Sequence, residues 1–409
     1  MRSIVLKSTL TLLVLGIVAA FAFNASFYTN GLISTYFAVT VACGVIVLMN
    51  LRPNAKDAAM MVAGAILLGT IDRFIFGYQW KPVSIISFLG LSSIAVLGFR
   101  SVWSEGRERK TLVLGLIPFV LFIGSEWLAT PLLHLTERIH NGTLDLYLYY
   151  FDESLGVQAS FVAGKMFAYW PWLKAISMFF YVGLEIPLIL VYVRHLVAKG
   201  EKALPVMIAF MITGPIGVIF YNLFPAAGPF HLFGGRFPFD GLNSMQVRHL
   251  LLEPTQIHAF PNAIPSLHMT WVLLAWWNSQ GLSRLTRSIA FAFVAFTVLA
   301  TLGTGEHYLV DLIVAFPFAL MLQSLPVVMR RQREAVVPFL FGLSTVLLWI
   351  TLLRFTPNFF WISPMIPWTL SAATIAASLW LKRRLDSPCV LSNQTPEAEV
   401  KPELVSAIQ

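Results

Sequence analysis

The feature that most limits what this chain can become is a run of apolar stretches, each roughly 17–24 residues long. That is the length a helix needs to cross a ~30 Å hydrocarbon core at 1.5 Å per residue. About twelve such stretches can be marked: 8–27, 31–50, 57–77, 82–99, 111–134, 173–195, 204–224, 264–280, 287–303, 307–327, 335–354 and 363–381. Backbone groups in lipid must find partners within the protein, which leaves helices or a closed barrel. The stretches do not alternate apolar with polar residues, so a barrel is excluded. Only 12% of the residues are charged and 57% are hydrophobic, whereas a soluble domain carries about a quarter charged. The expected fold is all-α: a polytopic helical membrane protein with about 12 transmembrane helices. The stretch 8–27 is long for a secretory signal and is followed by more, so it is expected to stay as a first helix.

Charge orients this series. The chain has 28 Lys and Arg and a net charge of +8. With the spans above, all but eight of them (Arg73, Lys81, Arg138, Lys165, Lys174, Arg236, Arg248 and Arg354) share the side of the N-terminus. Positive loops stay in the cytoplasm. Both termini are therefore expected to be cytoplasmic, with the opposite face turned outward from a plasma or inner membrane. Lysines and arginines scattered over loops do not form a nucleic-acid surface. Two long segments fall on the outer side. Residues 135–172 mix Asp145, Asp152 and Glu153 with Tyr and Trp and are expected to include an interfacial helix. Residues 225–263 are rich in Pro and Gly. The polar tail from 385 on is expected to be disordered, and two cysteines, Cys43 and Cys389, offer neither a disulfide framework nor a metal cluster.

Chemistry concentrates between residues 258 and 311. His307 and Asp311 are four apart, one turn of one helix face, and a carboxylate beside an imidazole fixes its tautomer. His268 follows Pro265 and Ser266, ordinary signals of a helix start. Two crossings, 264–280 and 287–303, separate the histidines and return the chain to the face it left. Helix N-termini favour anions, and Gly303-Thr304-Gly305 allows close backbone approach. Two imidazoles, a carboxylate, a serine and two helix starts at a membrane boundary point to phosphate chemistry. Zinc is the competing chemistry, but there is no His-Glu-x-x-His and no nearby cysteine.

Pro265-Ser266-Leu267-His268 and His307-Tyr308-Leu309-Val310-Asp311 resemble the second and third motifs of the type 2 phosphatidic acid phosphatase superfamily. Leu267 and Tyr308 are closer to its inositol phosphorylceramide synthase-like branch, as are Asp152-Glu-Ser-Leu-Gly156 and Phe224-Pro-Ala-Ala-Gly-Pro229. The resemblance covers about residues 111–327, a six-span catalytic core. It leaves an N-terminal four-helix extension (1–110), a C-terminal two-helix extension (328–384) and the tail (385–409). It implies that His307 attacks phosphorus, Asp311 holds its tautomer, His268 moves the proton and Ser266 binds phosphoryl oxygens, with no metal or cofactor. The superfamily's first motif, Lys-x6-Arg-Pro, has no counterpart; the one Arg-Pro pair is Arg52-Pro53, on the cytoplasmic side. Phosphoryl transfer needs its equatorial oxygens stabilised. Arg248 is the first candidate for that charge, followed by Arg236, His231 and His258, with Thr304 and Gly305 as further phosphate contacts.

The expected activity is a membrane lipid-phosphate phosphatase or phospho-headgroup transferase, working outside the cytoplasm through a phosphohistidine. Its partners are a lipid phosphate or phospholipid and the bilayer itself. The rival reading is a non-catalytic polytopic protein, a lipid transporter or scaffold. A polyprenyl-dependent glycosyltransferase would need an acidic pair in its first outer loop, which has no carboxylate here. Lipid, headgroup and oligomeric state lie beyond the sequence.

Overall fold

The computed structural model describes residues 32–76, 82–330 and 333–386. Among them the regular structure is helical, with one isolated antiparallel bridge between Thr143 and Thr255. The longer α-helices are α1 (Leu32–Asn50), α2 (Ala55–Phe76), α3 (Pro82–Trp103), α4 (Gly106–Ile139), α5 (Asp145–Ser154), α6 (Ala159–Tyr169), α7 (Pro171–Val182), α8 (Glu185–Lys199), α9 (Leu204–Leu223), α10 (Leu267–Asn278), α11 (Arg284–Thr304), α12 (Leu309–Met329), α13 (Val336–Phe355) and α14 (Met365–Leu385).

Six helical runs among the described residues are long and apolar enough to cross a membrane: Ser84–Trp103, Gly106–Ile139, Glu185–Leu223, Arg284–Thr304, Leu309–Met329 and Arg333–Phe355. This is the make-up of an integral membrane protein. It is half the number of spans expected from the apolar stretches, and local geometry accounts for part of the difference. The stretch 173–195 breaks at Gly183 into α7 and α8. The stretch 264–280 forms only the 12-residue α10, capped by Ser266 and ended by a turn in which Gly281 has φ +83°. At 1.5 Å per residue that helix spans ~18 Å, short of a bilayer core. The stretch 8–27 and the tail from 387 on lie outside the described residues.

The centre of the molecule is α12, most of whose residues are buried. It packs against α9, α10, α13 and α14. Helix α10 turns back along α11, so the start of α10 and the end of α11 lie at the same end of the bundle. The expected interfacial helix divides. Tyr169, Trp170 and Trp172 are exposed, whereas α5 buries Asp145, Leu148, Tyr149, Tyr150, Phe151 and Asp152. Its carboxylates tolerate burial because backbone amides meet them.

Candidate active site

Helix α11 ends at Thr304, with Gly305 in the left-handed conformation at φ +76°. His307 follows in the link to α12. Its N–H donates to the Thr301 carbonyl at 3.2 Å, and its own carbonyl accepts from Ser160 Oγ at 2.9 Å. The backbone of His307 is thus held from both sides. Its ring is held too: Nδ1 lies 3.3 Å from Asp311 Oδ2 and Nε2 3.1 Å from Ser266 Oγ. All three residues are buried, His307 at 3% and the other two at 0% exposure. Asp311 Oδ2 also accepts the Tyr308 N–H at 2.8 Å. With an acidic oxygen at Nδ1, the proton belongs on Nδ1 and the lone pair on Nε2.

Ser266 caps α10, its hydroxyl accepting from the Met269 amide at 3.3 Å, while its N–H donates to the Asp311 carbonyl at 3.2 Å. The two motifs, 41 residues apart at this contact, therefore meet through backbone and side chain alike. His268 sits in the first turn of α10. Its half-buried ring stacks on Tyr181 of α7 (centroids 4.1 Å apart, 16° between planes) and meets Trp271 edge-on. The Leu267 and His268 amides find no acceptor among the described residues, as expected of a helix's first turn.

The other helix start is different. Sequence alone leaves the N-terminus of α12 open to a substrate anion; in the structure it already holds one. Asp152 accepts the amides of Leu309 (2.7 Å, on Oδ2) and Val310 (3.1 Å, on Oδ1). The same face of α5 presents Asp145, two turns earlier. It accepts from Gly228 N–H at 2.7 Å, from Ala227 N–H at 3.0 Å and from Tyr308 Oη at 3.1 Å. Burial raises both carboxyls above the usual carboxylate range, Asp152 the more strongly, and the amide donors oppose the rise. Neither role was visible in the sequence. The signal that could have shown it is their spacing of seven, which puts two acids on one face of an otherwise aromatic helix.

The remaining expected phosphate contacts have other neighbours. Thr304 Oγ1 donates back to the Ala300 carbonyl at 2.7 Å, and the Gly305 amide closes the end of α11 on Leu302 at 3.0 Å. Arg248 lies over the Trp361 ring at 5.7 Å, and Arg236 over Phe233 at 5.8 Å. His231 and His258 border an open cavity of about 430 Å³ together with His134, Glu137, Asn262 and Glu306. Glu306, which lines this cavity, immediately precedes His307 in the chain.

His231 Nε2 is 3.7 Å from Glu306 Oε2, and that carboxylate raises the imidazole above its ordinary value of 6.5. Because the folded value is the higher one, the pair stabilises the fold fully below about pH 6.5. The contribution is lost as pH rises through the raised folded value. Both groups are partly exposed, so the effect is small. The melting temperature of the wild type should fall slightly between pH 6 and 8, and Glu306→Gln should flatten that dependence; an unchanged slope would contradict the pairing.

No curated protein and no solved structure matches the chain. The model of the PAP2 superfamily, whose members are phosphatases and phosphotransferases, does match, over residues 146–325. That stretch contains Asp152, Ser266, His268, His307 and Asp311, the residues whose geometry has just been described.

Proposed function

We propose that this protein cleaves or transfers a lipid-linked phosphate through a phosphohistidine on His307. The observation that carries the reading is the position of that ring, with Asp311 at one nitrogen and Ser266 at the other. Nε2 then presents its lone pair beside the start of α10. A phosphoryl group arriving there would take over the Ser266 hydroxyl and meet the open amides of Leu267 and His268. Both interactions favour the negative charge that grows on its oxygens.

The reaction runs in two halves. In the first, the Nε2–P bond forms and the bond from phosphorus to the departing oxygen breaks, with His268 supplying that oxygen's proton. Asp311 accepts the Nδ1 proton's hydrogen bond and offsets the charge gained by the ring. In the second half, His268 takes a proton from water or an alcohol, whose oxygen bonds to phosphorus as the Nε2–P bond breaks. Water gives hydrolysis, and a lipid alcohol gives headgroup transfer. Leu267 and Tyr308 support the inositol phosphorylceramide synthase-like branch, in which the acceptor is an alcohol. An extracytoplasmic site belongs to the same reading and rests on loop charges counted over twelve spans; the cavity beside Glu306 has room for the polar part of a substrate or acceptor.

A panel of lipid phosphates and phospholipids, with and without a lipid alcohol, tests the reading. Phosphate release indicates hydrolysis; a headgroup gained by the alcohol without phosphate release indicates transfer. Turnover of neither kind across the panel, by protein shown to be folded, would sink it. Ser266→Ala should lower kcat/KM by roughly 10²-fold through the lost phosphoryl contact. The same change removes the α10 cap and should cost about 1 kcal/mol of stability. Thermal unfolding alongside kinetics separates the two effects.

A further inference from the structure

We infer that the C-terminal hairpin, α13 and α14, braces the candidate active site, and that Phe151 and Asp152 are the positioning residues through which it acts. This rests on the reading of His307 as the reacting group, although its test does not.

Helix α12 is capped from within only at Tyr308, whose N–H donates to Asp311, and the Tyr308 side chain caps no amide. Its first two amides are taken by Asp152, 157 residues away in the chain. Where α5 stands therefore decides where α12 begins, and with it the angle at which Asp311 meets His307. Asp145 anchors the start of α5, and the hairpin holds the end that carries Asp152. Phe151, adjoining Asp152 and 0% exposed, fits a socket of two rings, Trp349 on α13 and Phe360 in the turn between the helices. It meets both edge-on, with centroids 5.3 and 4.7 Å away, while the two socket rings stack on each other at 9°. Beside it, Tyr150 lies against Trp361 at 5.0 Å and donates its hydroxyl hydrogen to Asn358 Oδ1 at 3.0 Å. From α14, Trp368 Nε1 donates to the Leu155 carbonyl that closes α5.

The hairpin is also fixed to α12 directly. At Gly342 of α13 an added Cβ would lie 2.6 Å from the Pro317 carbonyl oxygen and 2.8 Å from the Met321 nitrogen, so the two helices approach closely there. One element thus grips both partners of the Asp152 contact: the helix that donates the amides and the helix that brings the carboxylate. Two elements referred to one rigid frame keep their spacing, and misplacing a reacting group by about 1 Å costs on the order of 10²-fold in rate. Residues that never touch substrate then bear on kcat.

The test is Phe151→Ala in the full-length protein in lipid nanodiscs, read in two ways. The first is ¹⁵N NMR of labelled histidines, with the His307 ring signals assigned through His307→Gln. The brace predicts a changed tautomer balance for that ring. The second is turnover: kcat lowered roughly 10-fold or more with KM nearly unchanged. Phe151→Leu keeps apolar bulk and should recover part of both, and it gives the same two readings if the alanine variant does not accumulate. Asp152→Asn, which keeps one acceptor of two, should resemble Phe151→Ala. Folded Phe151→Ala or Phe151→Leu whose His307 signals match the wild type would overturn the brace. The NMR reading decides this even if no lipid phosphate proves to be a substrate, so the two proposals fail separately.

Discussion

His307→Ala should eliminate turnover of lipid phosphate, with kcat/KM lower by roughly 10⁴-fold or more. In the proposed mechanism no other residue of the site would form the phosphoenzyme: Asp311 is buried behind the ring, and His268 is assigned the proton. Asp311→Asn should cost about 10³- to 10⁴-fold, because the imidazole loses the partner that selects its tautomer and offsets its positive charge. The two losses should not add in the double variant, since both residues serve one step. A direct measurement is available in the phosphoenzyme. Brief reaction with a phosphorus-labelled substrate should leave label on the protein that is stable to base and labile to acid. His307→Ala should carry none. If His307→Ala turns over at a tenth of the wild-type rate or better, the nucleophile is elsewhere and the proposed mechanism is wrong.

Gly228→Ala should have the largest effect among residues that cannot contact the phosphate chemically. Gly228 adopts φ +109°, ψ 160°, a region essentially closed to residues with a Cβ. An added Cβ would stand 2.5 Å from the Glu306 carbonyl oxygen and 2.7 Å from that of Gly305. These are backbone atoms of the link that leads into His307, and no side-chain rotation relieves the contact. The loop would have to move, taking with it the Gly228 amide that Asp145 accepts at 2.7 Å. The expected cost is roughly 3 kcal/mol of stability, with activity lost even at temperatures where the variant stays folded. Gly235→Ala serves as control: nothing lies within 4 Å of its added Cβ, so stability and rate should match the wild type. Equal melting temperatures for wild type and Gly228→Ala would contradict the close packing of this loop.

Much of the site was legible because its parts are local. His307 and Asp311 are one helical turn apart, so their pairing follows from helix geometry wherever the helix lies. Ser266 before an apolar run announces a helix start in the same way. The hairpin that carries the first motif back to the second could be anticipated from the lengths of two apolar stretches, although α10 proved too short to cross a bilayer. Length and apolarity mark where lipid or core is tolerated; they do not say which. Buried helices and spanning helices look alike at that level, and α10 shows it. Arg248 drew attention as a cation near the site in sequence, yet a guanidinium also settles on an aromatic ring, and here Trp361 supplies one.

By itself the sequence determined a helical membrane chain and the pairing of His307 with Asp311, because both are written in local patterns, apolar runs of helix length and a spacing of one turn. Only the tertiary structure decided what sits at the N-terminus of α12. A helix end attracts any anion, and whether that anion is a substrate or the chain's own Asp152 depends on which distant segment is packed beside it. The same holds for Asp145 and for the aromatic socket around Phe151. Their partners are more than 80 residues away, and no local pattern records a contact made by folding.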